Sequence, residues 1–123
     1  MNNDITVNVK AHYLEKESQP DNRRFVYAYE ISIENNSEIS TQLISRHWKI
    51  IDSNEGIQEV QGLGVVGQQP ILQPGESYQY TSGVVLETDS GVMEGSYMMR
   101  AEDGLEFETP IPSFALVSPR ALH

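Results

Sequence analysis

The residues best suited to chemistry lie between Ser45 and Pro70. Gly62-Leu63-Gly64-Val65-Val66-Gly67 has the glycine spacing of a dinucleotide-binding loop. That spacing binds pyrophosphate where a strand leads into a helix whose first turn presents free N–H groups, with a carboxylate further on for the ribose. Here Gln68-Gln69-Pro70 and Pro74 follow, and then a strand pattern. Without the helix there is no dipole and no ordered row of amides. No Lys-Ser/Thr pair follows, as it would in a P-loop. Glycines bending a strand at a sandwich corner account for the loop without a ligand. The alternative is a turn-type anion nest, which would make the chain a small-ligand, phosphate or nucleotide binder.

Just upstream is Ser45-Arg46-His47-Trp48, with the only Trp of the chain. On a strand, Ser45 and His47 share one face and Arg46 and Trp48 the other. Ser45 and His47 are nucleophile and base types, yet the sequence supplies no orienting acid and no oxyanion donor pair. As a metal ligand His47 needs partners. The other histidines are His12 and His123, and there is no His-x-His pattern, so His47 reads as a hydrogen-bonding residue. Trp48 reads as core, since a sandwich commonly buries one Trp between its sheets. Arg46 must then reach the rim, where it can meet a partner, or bond a carboxylate such as Glu59. Glu106 and Glu108 point the same way, about 6.6 Å apart along a strand. Oxygen ligands there suit a hydrated Mg2+, but a charged solvent face accounts for them.

The totals limit what these residues can be asked to do. At 123 residues the chain is one domain with room for a single core. Its formal net charge is -10, from 18 acidic and 8 basic residues, and only Arg23-Arg24 are adjacent cations. That argues against nucleic acid and anionic membrane, which need clustered Lys and Arg. There is no cysteine, which excludes disulfides, thiolate metal sites and thiol catalysis, and is typical of a reducing compartment. Met1 to Asp4 has neither a basic region nor an apolar core, so no signal peptide is read there. Apolar runs such as Val84-Val85-Leu86 are too short to cross a membrane. A cytoplasmic protein is expected.

The positioning elements are strands. Ile5, Val7, Val9, Ala11 and Tyr13 alternate with polar residues, and Phe25, Tyr27, Tyr29, Ile31 and Ile33 share one face with Val26, Ala28, Glu30 and Ser32 on the other. A third strand runs from about Thr41 to Ile51, with Ile44, Arg46, Trp48 and Ile50 on one face and Leu43, Ser45, His47, Lys49 and Ile51 on the other. Asp52 to Gly56 closes a hairpin with a strand at Ile57 to Gln61. Tyr78, Tyr80, Ser82, Val84 and Leu86 share a face, and so do Met93, Gly95, Tyr97, Met99 and Ala101. After Glu102-Asp103-Gly104, Leu105 to Thr109 pairs back. Pro110 and Pro112 suit an edge or a kink, and Phe114 to Val117 is a last short strand. No helical period is sustained. Turn signals at this spacing predict an all-β, antiparallel sandwich of two sheets with about seven or eight strands.

Taken together, several segments resemble the bacterial ApaG family. They are Tyr13-Leu14-Glu15, Ser18-Gln19-Pro20, Tyr27-Ala28-Tyr29, Arg46-His47-Trp48, the glycine run with Gln69-Pro70, Pro74-Gly75, Tyr80-Thr81-Ser82-Gly83, Gly95-Ser96-Tyr97, Asp103-Gly104 and Ile111-Pro112-Ser113-Phe114. The resemblance implies one such domain over residues 1–123, with an immunoglobulin-like, fibronectin type III-like sandwich. It also implies a loose tie to cobalt and magnesium efflux. Similar domains within eukaryotic F-box proteins and a polymerase-interacting protein look like interaction modules. No catalytic residue set comes with the family.

The resulting expectation is a non-enzymatic binding module that needs no cofactor or metal. Its partner is an unidentified protein, with no nucleic acid and no membrane insertion, and homo-oligomers are left open. Arg46, His47, Gly62, Gly64, Val66 and Gly67 are the expected contact residues.

Overall fold

The computed structural model describes residues 4–119. The readings made for residues 1–3 and for His123 lie outside them. Eight strands follow in order: β1 (Ile5–Tyr13), β2 (Phe25–Asn35), β3 (Thr41–Asp52), β4 (Ile57–Leu63), β5 (Ile71–Leu72), β6 (Ser77–Leu86), β7 (Ser90–Ala101) and β8 (Glu106–Val117). The loop after β1 contains two single 3-10 turns, Glu15–Glu17 and Pro20–Asn22.

One sheet has the order β1-β2-β6. The other has five strands in the order β4-β3-β7-β8, with β5 also pairing β3. All pairings are antiparallel. The two sheets enclose one core, the expected sandwich. Tyr27, Tyr29, Ile31 and Ile33 of β2 face Leu43, Trp48, Met93, Tyr97, Met99, Ile111 and Leu116 of the larger sheet. Trp48 is buried, as expected. Its ring lies edge-on to Tyr29 at 5.4 Å and to Phe114 at 5.9 Å, contacts that add about 0.5–1.5 kcal/mol each beyond area burial.

The structure departs from simple alternation in three places. First, the β3–β7 register shifts between Leu43 and Ser45. Ile44 is an extra residue, so the faces exchange across it. Leu43, read from the sequence as lying beside Ser45 and His47, instead joins Trp48 and Ile50 in the core. Second, β4 runs on through Gly62 and Leu63, and the short β5 pairs Thr41 and Gln42 at the other side of the bulge. Third, β8 is one strand that passes through Pro110 and Pro112, and its register against β7 shifts between Met93 and Gly95. It lies at the edge of its sheet, where a residue without an N–H is tolerated.

Candidate functional site

The glycine loop spans the gap between β4 and β5, which pair along the same edge of β3. It arches over the bulge and is sewn to it. The Gly64 N–H and the Gln69 Nε2 both donate to the Ile44 carbonyl, at 2.9 and 2.8 Å. The Leu43 N–H donates to Pro70 O, and Gln42 Nε2 donates to Gln69 O. The bulge leaves Ile44 without a partner on the β7 side, and on the other side of β3 the loop gives its carbonyl two donors.

At the loop tip, Val65 N–H donates to Gln68 O and Gln68 N–H donates to Val65 O, at 2.8 and 2.9 Å. The two residues between them, Val66 and Gly67, both have positive φ, 48° and 77°. This is the signature of a type I′ turn, which favours Asn-Gly. Among the described residues three non-glycines have positive φ, and Val66 alone is β-branched; such a residue is strained there. Val66 is also 63% exposed, whereas Val65 is completely buried. Gly64 has φ 64°, and a Cβ on it would lie 2.2 Å from Gln68 O. Of the amides that an anion nest could offer, the N–H groups of Gly64, Val65 and Gln68 are taken by carbonyls.

Arg46 and Gly62 are directly opposite in the β3–β4 register. The Arg46 guanidinium lies under Gly62, where an added Cβ would come within 2.8 Å of Nη1. Nη1 donates to Gly64 O at 2.9 Å and to Leu63 O at 3.2 Å. The half-buried cation is thus a clamp on the loop. The expected bond to Glu59 is not made. Glu59 is opposite Lys49, and its side chain shares the outer face with His47, while Arg46 shares the inner face with Trp48. Glu59 Oε1 instead meets His47 Nε2 at 2.8 Å.

His47 thus has the orienting acid that the sequence did not reveal, because the two become neighbours only through the β3–β4 pairing. No hydrogen bond joins Ser45 to His47 among the described residues, so the nucleophile–base link is not formed. Ser45, His47, Gln61, Leu63, Met98 and Glu108 line a shallow depression on the outer face of the larger sheet. Glu106 accepts from Arg100 Nε at 2.9 Å, and Glu108 accepts from Ser96 Oγ at 3.2 Å. These carboxylates are tied to β7. No group of three or more His, Cys, Asp or Glu among the described residues could hold a metal ion.

Sequence reasoning missed one buried polar pair near Arg46. The hydroxyls of Tyr80 and Tyr97 meet across the two sheets at 2.5 Å. Burial pushes both phenols well above their ordinary range; the Arg46 charge acts in the opposite direction on each. The sequence set each tyrosine on one face of its strand, but their mutual contact depends on how the sheets stack.

The fold and this loop together define a class: an all-β sandwich module with a clamped, strained loop on one sheet edge. The family profile of the ApaG domain matches residues 15–101, and the chain belongs to the ApaG family. It is 56% identical over 119 residues to "Protein ApaG" of Dechloromonas aromatica, covering 97% of this chain and 94% of that protein. It is 51% identical over 120 residues to the protein of the same name from Ralstonia nicotianae, covering 98% and 97%. Among solved structures, an ApaA protein from Bordetella pertussis matches with a TM-score of 0.92 at 49% identity, over 95% of both chains. The X-ray structure of structural-genomics target SoR45 matches with a TM-score of 0.93 at 43% identity, over 100% of this chain and 93% of that one.

Proposed function

We propose that this domain is a non-enzymatic binding module of the cytoplasm that works through protein–protein contacts, with Val66 at the centre of its docking surface. The observation that carries this is the conformation of Val66, an exposed β-branched side chain held at positive φ. Strain of about 1–3 kcal/mol persists only where the surroundings enforce it, and it gathers at functional sites. The surroundings here are the buried Val65, the Gly64 turn and the Arg46 clamp. Leu63 and Ile71 flank the loop on the outer face and are also largely exposed. A partner with an apolar pocket rimmed by basic groups suits this surface on a chain of net charge -10.

A tie to cobalt and magnesium efflux then runs through such a partner, a transporter or its regulator. No helix among the described residues is long and apolar enough to cross a membrane. Calorimetry with Co2+ is expected to show weak binding; a stoichiometric, sub-micromolar site would contradict the reading.

The direct test compares wild type with Val66→Asn as immobilised bait. Asn suits the turn, so the fold is kept while the apolar contact is removed. Partners held by wild type and lost with Val66→Asn support the proposal. Equal capture by both places the docking surface elsewhere.

A further inference from the structure

We infer that β4 pairs with β4 of a second copy of this chain, antiparallel about a two-fold axis through Val60. The strand ends the order of the larger sheet, so among the described residues one of its edges is unpaired. The direction of its backbone groups follows from two bonds. Gly64 N–H donates to Ile44 O, and Asp52 N–H donates to Gly56 O. In an antiparallel pair the groups of alternate residues point to the same side. Gly56, Gln58, Val60, Gly62 and Gly64 therefore address β3. Ile57, Glu59, Gln61 and Leu63 present their N–H and C=O groups to the open edge. The Leu63 carbonyl also accepts from Arg46, which leaves its second lone pair.

These four outward residues match themselves. With the axis at Val60, Ile57 falls opposite Leu63 of the second copy, and Glu59 falls opposite Gln61. Every outward group finds a partner, and a shift of register in either direction leaves some unpaired. The side chains agree with the backbone. Ile57 and Leu63 are 60% and 74% exposed, and this register puts them in contact with each other. Glu59, the one charge on the strand, meets an amide and not another carboxylate, and it already accepts from His47. Beyond the strand ends, Gly56 falls opposite Gly64, so no side chain obstructs the approach. Exposed edges are usually blocked by Pro or Lys. β8, at the opposite edge, carries Pro110 and Pro112, whereas β4 carries neither Pro nor Lys. An isologous contact of this kind closes as a dimer.

Sedimentation equilibrium across the micromolar to millimolar range tests this. Wild type is expected to show a monomer–dimer equilibrium that tightens with salt, because screening weakens the repulsion between two acidic copies. Gln61→Pro removes an outward N–H and is compatible with an edge strand; it should abolish the dimer and leave the monomer folded. Independently of that variant, Ile57→Lys and Leu63→Glu should each weaken the dimer when alone. Mixed, they should form a heterodimer, since the cation introduced in one copy then faces the carboxylate introduced in the other. A protein that stays monomeric throughout overturns the inference. So does a dimer unaffected by Gln61→Pro, or a mixture of the two charge variants that fails to associate.

Discussion

Val65 and Val66 are neighbours in sequence and opposites in environment. Val65 fills the core with no exposed surface, and Val66 stands in solvent at φ 48° on the far side of the same tight turn. One valine anchors the loop, and the other is displayed by it. If display is what keeps valine at this position, replacing it with the residue the turn prefers should stabilise the fold. Val66→Asn is expected to gain about 1 kcal/mol by removing β-branched strain, read as a rise in melting temperature of several degrees. A fall in melting temperature would show that the side chain of Val66 contributes packing, and would remove the argument from strain.

The glycines of the loop are not equivalent. Gly64→Ala meets two penalties: positive φ, about 1–2 kcal/mol, and a Cβ 2.2 Å from Gln68 O. Gly67 has positive φ but open space around the missing Cβ, so Gly67→Ala should cost about 1 kcal/mol. Denaturant titration of both variants should place Gly64→Ala clearly below Gly67→Ala. Equal losses would mean that the loop moves to accommodate the clash.

Much of this was legible in the sequence, and the limits have physical causes. Strict alternation set Tyr27, Trp48, Tyr80 and Tyr97 each on one face of its strand, because period two is a local property. It failed at Leu43, where a single inserted residue exchanges the two faces and leaves no mark in composition. The glycine loop was recognisable as a turn that lacks the helix of a dinucleotide site. Its function as a bridge over the Ile44 bulge was not, since Ile44 lies well upstream in the chain. Asn35 stands in the run Glu34-Asn35-Asn36-Ser37-Glu38, which by itself reads as ordinary turn chemistry. In the fold it is completely buried: Nδ2 donates to Ile39 O and Leu72 O, and Oδ1 accepts from the Ser37 N–H and Oγ. The partners of a buried amide come from segments that the sequence alone does not bring together.

Alkaline pH should unfold the protein from above pH 10. The phenol of Tyr27 is pushed up to about 12, chiefly by burial, and burial raises Tyr80 and Tyr97 further. A phenol held neutral in the fold ionises more readily in the unfolded chain. The unfolded state then binds fewer protons, so stability falls as pH rises. The contribution is complete below the ordinary value of about 10 and is lost as pH climbs towards the folded values. Phenolate absorbance should show these tyrosines ionising together with the loss of the buried-Trp48 fluorescence signal, and Tyr80→Phe should shift the transition. Smooth titration of all six tyrosines near pH 10 with the fold intact would contradict the burial argument.

Arg46 separates a clamp from a contact. Its Nη1 holds Gly64 O and Leu63 O, bonds from a charged donor that contribute about 1.5–3 kcal/mol in such settings. Arg46→Met keeps the apolar stem and removes those donors, so stability should fall by about that amount. If Arg46 acts only by holding the loop, partner capture should decline in proportion to the folded fraction and recover when the variant is assayed at lower temperature. Val66→Asn should behave in the opposite way, with the fold intact and capture lost. The pair of variants therefore distinguishes the residue that presents the surface from the residue that is the surface. If Arg46→Met loses capture while remaining fully folded, the guanidinium itself touches the partner, and the docking surface extends from the loop tip to β3.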